Sequence, residues 1–232
     1  MTAILSNLQA TREAVAQAAF EAHRAVADVH LLAVSKTFPA EAVREAYQGG
    51  QRAFGENYLQ EALDKMTQLQ DLSLEWHFIG PIQSNKTRPI AEHFAWVHGV
   101  DRLKVAQRLS EQRPADLPPL NICLQVNVSG EESKSGVAID EAAQLAQEIS
   151  QLPHLKLRGL MSIPAPASDE SEQRVAFAKM RRLVERLNGQ GLSLDTLSMG
   201  MSHDFPAAIK EGATIVRIGT AIFGARDYGG GT

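Results

Sequence analysis

Eight short apolar runs, each followed by a stretch with helical periodicity, constrain this chain more than any other feature. The runs occupy residues 31–35, 52–56, 76–79, 96–99, 122–128, 157–161, 196–199 and 215–218. Between them, helix-like stretches lie at about 40–48, 58–70, 85–94, 102–112, 140–151, 169–188 and 203–211. Strands alternating with helices pair in parallel through right-handed crossovers, and eight such units in roughly 200 residues match a (β/α)8 barrel. A doubly wound open sheet is the rival. It would present a glycine-rich phosphate turn after its first strand, where this chain has Ser35-Lys36-Thr37-Phe38-Pro39. Parity in the fifth run also favours the barrel. Ile122, Leu124, Val126 and Val128 share one face, whereas Cys123, Gln125 and Asn127 share the other. A strand covered by helices on both sides is apolar on both faces, but a barrel strand carries polar groups inward near the mouth.

An extra helix precedes the first strand, at about residues 3–27, with Ile4, Leu8, Val15, Ala19, Ala22 and Val26 on one stripe. The length of 232 residues is ambiguous between one domain and two. With no linker, low-complexity tract or repeat, residues 1–232 read as a single domain. One cysteine, Cys123, excludes an internal disulfide and a thiolate zinc cluster and fits a reducing, cytoplasmic compartment. A formal charge of −4 gives no basic excess for nucleic acid or an anionic membrane. No apolar run reaches the ~20 residues of a bilayer span, and the N-terminus has no secretory-signal pattern.

In a parallel barrel, chemistry collects where strands end. Lys36 closes a run that should be buried and shares parity with Leu32 and Val34. A lysine aimed into a barrel mouth is partly desolvated, which lowers its pKa and frees its amine to attack carbonyls. The alternative is a strand-end lysine snorkelling to solvent. Ser198-Met199-Gly200-Met201-Ser202 and Arg217-Ile218-Gly219-Thr220 form a second feature. Small residues with free N–H groups at two adjacent helix starts make an anion cup, and a phosphate site after strands seven and eight recurs in such barrels. Plain helix capping by Ser202 and a turn at Gly219 is the other reading. Arg217 is the third feature, since it shares parity with Ile215 and points inward. A guanidinium there needs an acceptor, and Glu56 or another rim carboxylate is one candidate.

Other features carry weaker signals. His77 and His98 stand near strand ends without metal-site spacing, so a structural hydrogen-bonding role is expected and no metal site is read. Lys134 reads as a solvated loop lysine with some chance of ligand contact. No nucleophile elbow or serine–histidine–aspartate arrangement is present.

The segments LLAVSKT, AFGENYLQE, WHFIGPIQSNK, LQVNVSGEESKSG, LRGLM and LSMGMSHDFPAAIKEGATIVRIGTAIFGARDY resemble the pyridoxal phosphate homeostasis proteins of the YggS type. The resemblance runs from about residue 30 to 228, with the motifs in order. It implies a single-domain, fold-type III TIM barrel similar to the N-terminal domain of alanine racemase, with pyridoxal 5'-phosphate as cofactor. It implies a Schiff base on Lys36, a phosphate resting on Ser198, Gly200, Gly219 and Thr220, and Arg217 beside the pyridine nitrogen. Asn57 would contact the ring region, and Met199 with the ends of strands three and six would line the pocket.

An arginine opposite the ring nitrogen leaves it largely neutral and a weaker electron sink. The sequence also shows no second, β-rich domain like the one that completes the racemases. The expectation is therefore a cytoplasmic, monomeric carrier without robust catalysis and with no catalytic residues, having apo pyridoxal phosphate enzymes as candidate partners. Two alternatives remain. One is a small amino-acid racemase using His203, Tyr58 or Tyr228 as second base. The other is a Schiff-base aldolase acting on a phosphosugar. Lys134 is one candidate for a second, weaker cofactor site.

Overall fold

The computed structural model describes residues 2–131 and 134–225. Eight parallel strands close into a barrel in chain order: β1 (His30–Val34), β2 (Ala53–Glu56), β3 (Glu75–Phe78), β4 (Trp96–Val100), β5 (Leu120–Gln125), β6 (Leu155–Met161), β7 (Thr196–Ser198) and β8 (Ile215–Ile218). Closure is made by β8 lying against β1, with Arg217 level with Leu32. Helices α1 (Ala3–Glu21), α2 (Ala40–Gln48), α3 (Leu59–Gln68), α4 (Thr87–His93), α5 (Leu103–Gln112), α6 (Ala142–Ser150), α7 (Glu170–Gly189), α8 (Phe205–Lys210) and α9 (Thr220–Phe223) surround it. The expected alternation of strand and helix is therefore present in every unit. No described helix is long and apolar enough to cross a membrane.

Side-chain parity sorts the barrel into two apolar regions. Phe54, Trp76, Val97, Ile122, Leu124, Leu160, Leu197, Val216 and Ile218 face the helices and join the main core. Leu32, Trp96, Cys123, Met161 and Ile215 form a small inner cluster. Because strand side chains alternate with period two, the residues in step with that inner cluster also point inward. They include His98, Gln125, Ser198 and Arg217, all of them buried. The polar-in, apolar-out pattern of β5 is the one its sequence suggests.

Closing the sheet requires one glycine in particular. A Cβ on Gly159 would fall 1.8 Å from the Thr196 carbonyl oxygen, so β6 and β7 could not pair with any side chain at that place.

The first helix is shorter than its apolar stripe suggests. It ends at Glu21, where His23 takes a left-handed φ of 56°. Arg24 N then bonds Ala19 O and His23 N bonds Phe20 O, the two bonds of a Schellman stop. A histidine fills the place that glycine usually marks, so the stop leaves no trace in the residue pattern. Within the helix the stripe is used as expected, with Leu8, Val15 and Ala19 buried where α1 packs on α2, α8 and α9, whereas Val26, beyond the helix end, is exposed.

Candidate functional site

At the C-terminal mouth of the barrel, a cavity of about 200 Å³ is lined by Val34, Lys36, Asn57, Ile79, Ile163, Met201, Ser202, His203, Arg217, Gly219 and Thr220. Larger cavities lie elsewhere, two of them much larger. One of about 830 Å³ opens at the opposite mouth, around Glu75, His77 and Arg158. The other, of about 680 Å³, lies beside Lys134. The C-terminal mouth joins a lysine, a buried guanidinium and paired glycine–hydroxyl loops, and its volume suits one substituted ring better than a dinucleotide.

Lys36 is half-buried in the turn after β1. Both of its neighbours are anchored. Ser35 Oγ donates to Glu56 Oε1 at 2.6 Å, and Thr37 N, in a left-handed φ of 70°, donates to Glu61 Oε1 at 2.6 Å. Lys65 ties these anchors together: its Nζ donates to Ser35 O at 2.7 Å, Glu56 Oε1 at 2.8 Å and Glu61 Oε1 at 2.6 Å. Glu56 therefore does not meet Arg217. It has the parity of Phe54, which faces the helices, so its carboxylate lies between β2 and α3. Burial pushes the Glu56 carboxyl up from its ordinary value, opposed by the adjacent Lys65 charge.

Arg217 is buried, and no carboxylate among the described residues lies against it. Its Nη1 donates to Ser198 O at 2.6 Å and Ser198 Oγ at 2.8 Å, and its Nη2 donates to Ser162 O at 2.9 Å. Burial pulls its pKa down to about 10, with the charge of Asp204 acting the other way. It remains a cation at neutral pH and a fixed source of N–H donors at the cavity.

The two terminal loops divide their roles. Gly219 and Thr220 line the cavity, with α9 starting at Thr220, whereas Ser198 lies behind Arg217 as its acceptor. Gly200 has φ 94°, and a Cβ there would meet the Ala208 side chain at 2.7 Å, so this glycine lets the loop turn onto α8. Ser202 does not cap that helix. Asp204 occupies the N-cap position, and its Oδ1 takes the Met201 N–H at 2.6 Å. Met199 departs from expectation as well. It shares parity with Leu197, which faces outward, and is buried in the helix-side core away from the cavity wall.

Asn57, Ile79 and Ile163, just past the ends of strands two, three and six, stand in the wall. Asn57 Oδ1 and Ser162 Oγ are buried without a hydrogen-bond partner among the described residues. Of the two, Asn57 lines the cavity, and its orphaned oxygen fits a polar ligand that completes it.

Of the other residues singled out from the sequence, the described ones do not line the cavity. Tyr58 is exposed at the start of α3, and Tyr228 lies outside the described residues. Lys134 is not a solvated lysine: its Nζ is buried and lies 3.7 Å from Glu131 Oε1. Asn127 shapes its own loop, donating to Glu131 O at 2.8 Å and accepting from Gly130 N. No cluster of three or more metal-ligating side chains occurs among the described residues.

Sequence reasoning missed Lys65. A signal was present, since Ala62, Lys65 and Leu69 follow one helical stripe whose other members are buried. A lysine on an apolar stripe is a candidate for a buried pair.

Residues 6–227 match the family described as alanine racemase, N-terminal domain. A pyridoxal phosphate homeostasis protein from Pseudomonas aeruginosa is 65% identical over 229 residues, 99% of this chain and 98% of that one. Its namesake from Escherichia coli K12 is 52% identical, covering 98% of this chain and 99% of the other. The chain belongs to the pyridoxal phosphate homeostasis protein family.

Solved structures agree. The protein PipY of Synechococcus elongatus, with pyridoxal phosphate bound, aligns with TM-score 0.84 and 39% identity over 95% of this chain and all of its own. Alanine racemase of Corynebacterium glutamicum shares the fold at TM-score 0.71 and 21% identity, with this chain covering 63% of its length. In the homeostasis protein family, then, the racemase barrel occurs in a chain of about this size.

Proposed function

We propose that this chain holds pyridoxal phosphate at the C-terminal mouth, reversibly and on Lys36, and acts as a carrier that controls the free cofactor without robust catalysis. The observation that carries this reading is Lys36 sharing one small cavity with the buried Arg217, which has no carboxylate against it among the described residues. Pyridoxal phosphate supplies an aldehyde that condenses with a lysine amine to a Schiff base with loss of water, and a pyridine ring able to withdraw electrons. Lys36 would provide the amine, with the Glu56–Lys65–Glu61 cluster holding its turn in place. Gly219 and Thr220 line the wall where the phosphate would rest, with Ser198 behind Arg217 and Gly200 O accepting from Arg217 N, and Asn57 Oδ1 is an acceptor still to be filled.

The protein's own groups argue for exchange over turnover. A guanidinium donates to a ring nitrogen without yielding its proton, so the ring stays a weak electron sink. Besides Lys36 and Arg217, His203 is the titratable group in the described wall, and Ile163 beside it is 43% exposed. Water therefore reaches the site, which loses the desolvation that speeds chemistry in closed pockets. Cytoplasmic residence fits the single thiol. A monomer fits the scattering of exposed large apolar side chains over separate elements. Apo pyridoxal phosphate enzymes are the partners this carrier would serve.

The test is borohydride reduction of the protein as purified, followed by peptide mass mapping. A pyridoxyl group on Lys36 is expected, and Lys36→Ala should abolish it. Label elsewhere with Lys36 unmodified would refute the site. His203 in the wall favours a second reading, a small racemase. Amino-acid racemisation by the purified protein above about 1 per second would establish it.

A further inference from the structure

A line of hydrogen bonds crosses the barrel interior from the cofactor mouth to the opposite one. Arg217 Nη1 lies 2.8 Å from Ser198 Oγ, and Ser198 Oγ lies 2.7 Å from His98 Nδ1. His98 Nε2 is 2.9 Å from His77 Nδ1, and His77 Nε2 is 2.9 Å from Glu75 Oε1. Glu75 is half-exposed in the 830 Å³ cavity at the far mouth.

The two ends dictate the direction of every bond. A guanidinium can only donate, so Ser198 Oγ accepts from Arg217 and turns its own hydrogen to His98 Nδ1. His98 must then carry its proton on Nε2 and donate to His77 Nδ1. His77 in turn carries its proton on Nε2 and donates to the Glu75 carboxylate, which can only accept. This assignment satisfies all four contacts with both imidazoles neutral.

We propose that His98 and His77 are positioning residues, which set the Ser198 hydroxyl as the acceptor that aims Arg217 at the cofactor and connect that arginine to the Glu75 carboxylate at the opposite mouth. The proposal rests on the reading that Arg217 faces the cofactor ring. Neither histidine lines the cavity that holds Lys36, so each acts on that site through its neighbour.

The surroundings keep both rings neutral. Burial pulls the His77 pKa below its ordinary value, opposed by Glu75 and assisted by the nearby His30. His98 is pulled well below by burial, then by His77 and Arg217. Trp96 closes the remaining side, stacked on His77 with ring centres 5.4 Å apart and tilted against His98 at 5.8 Å. In neutral water an exposed histidine spends its time in both tautomers and titrates near pH 6.5. Here one tautomer is imposed by a donor at one end and an acceptor at the other.

Two measurements test this. Nitrogen-15 spectra of the imidazoles, recorded on the full chain without cofactor, should show His77 and His98 protonated on Nε2 alone from pH 6 to 8. A proton on Nδ1 of either ring, or titration within that range, would overturn the proposal. In cofactor-loaded protein, His98→Leu should weaken pyridoxal phosphate retention by about tenfold and shift the absorbance of the bound cofactor. His98→Gln, whose amide can accept from Ser198 and donate to His77, should restore both.

Unchanged absorbance and retention in His98→Leu, with Lys36 still labelled by borohydride, would also overturn it. A wild-type protein in which Lys36 takes no label refutes the functional reading instead, and the tautomers then decide the relay independently.

Discussion

Replacing Lys65 by methionine tests the cluster that holds the Lys36 turn. The side chain keeps its length and loses its charge. Lys65 is 4% exposed at its side chain and Glu56 is 0%, so the variant leaves a carboxylate buried without its cation. Removing one partner of a buried pair costs about 3–5 kcal/mol, whereas the half-exposed contact to Glu61 adds less than about 1 kcal/mol. With an m-value of about 3 kcal/mol/M, the urea midpoint should fall by about 1–1.7 M at pH 7.5.

The loss should depend on pH in a definite direction. Burial already places the folded-state pKa of Glu56 above its ordinary value, and taking Lys65 away removes the main opposing influence. An acid with a raised folded pKa carries no penalty below its unfolded pKa of about 4.3, and a growing one as pH rises toward the folded value. The gap between wild type and Lys65→Met should therefore narrow from pH 7.5 to pH 5. Adding Glu56→Gln to Lys65→Met should recover most of the loss, because the buried charge disappears. A midpoint shift worth less than about 1 kcal/mol, or a gap that does not change with pH, would refute the reasoning.

Three further outcomes follow from the packing. His77 and His98 have folded-state pKa values below the unfolded value of about 6.5, so their contribution is complete above pH 6.5 and is lost as pH falls below it. Stability from urea titrations should drop between pH 6.5 and 5.5 by up to about 1.4 kcal/mol per pH unit for each histidine, and His98→Gln should flatten the profile. Burial pushes the Cys123 thiol up to about 12, so a thiol reagent at pH 8 should label it only on unfolding; rapid labelling of the native chain would contradict its placement. Gly159→Ala would set a methyl group into the Thr196 carbonyl, and soluble expression of a protein with unchanged urea midpoint would contradict the β6–β7 pairing described.

Much of the site was legible because a barrel converts residue order into position. Lys36 ends the first apolar run and Arg217 shares parity with Ile215, and both line the same mouth. The errors came from the same rule applied incompletely. Glu56 and Met199 stand at strand ends but one step out of phase with the interior, so they face the helices. Being at the rim does not put a side chain in the cavity; parity decides that. The end of α1 was illegible for a different reason, since His23 adopts a conformation for which histidine carries no sequence mark.

Periodicity by itself favoured the barrel over an open sheet, gave the inward face of the first, fifth and eighth strands, and singled out Lys36 and Arg217, whose roles toward a cofactor came from the resemblance to a family. These follow from local geometry, because a strand alternates with period two and a helix repeats near 3.6 whatever lies beside it. Only the tertiary structure decided which inward groups meet. Ser198 and His98 are 100 residues apart and bond because β4 and β7 face each other across the interior. Lys65 reaches Glu56 because α3 folds back over β2. Such contacts depend on the register and closure of the whole sheet, and no local pattern encodes the distance across a barrel.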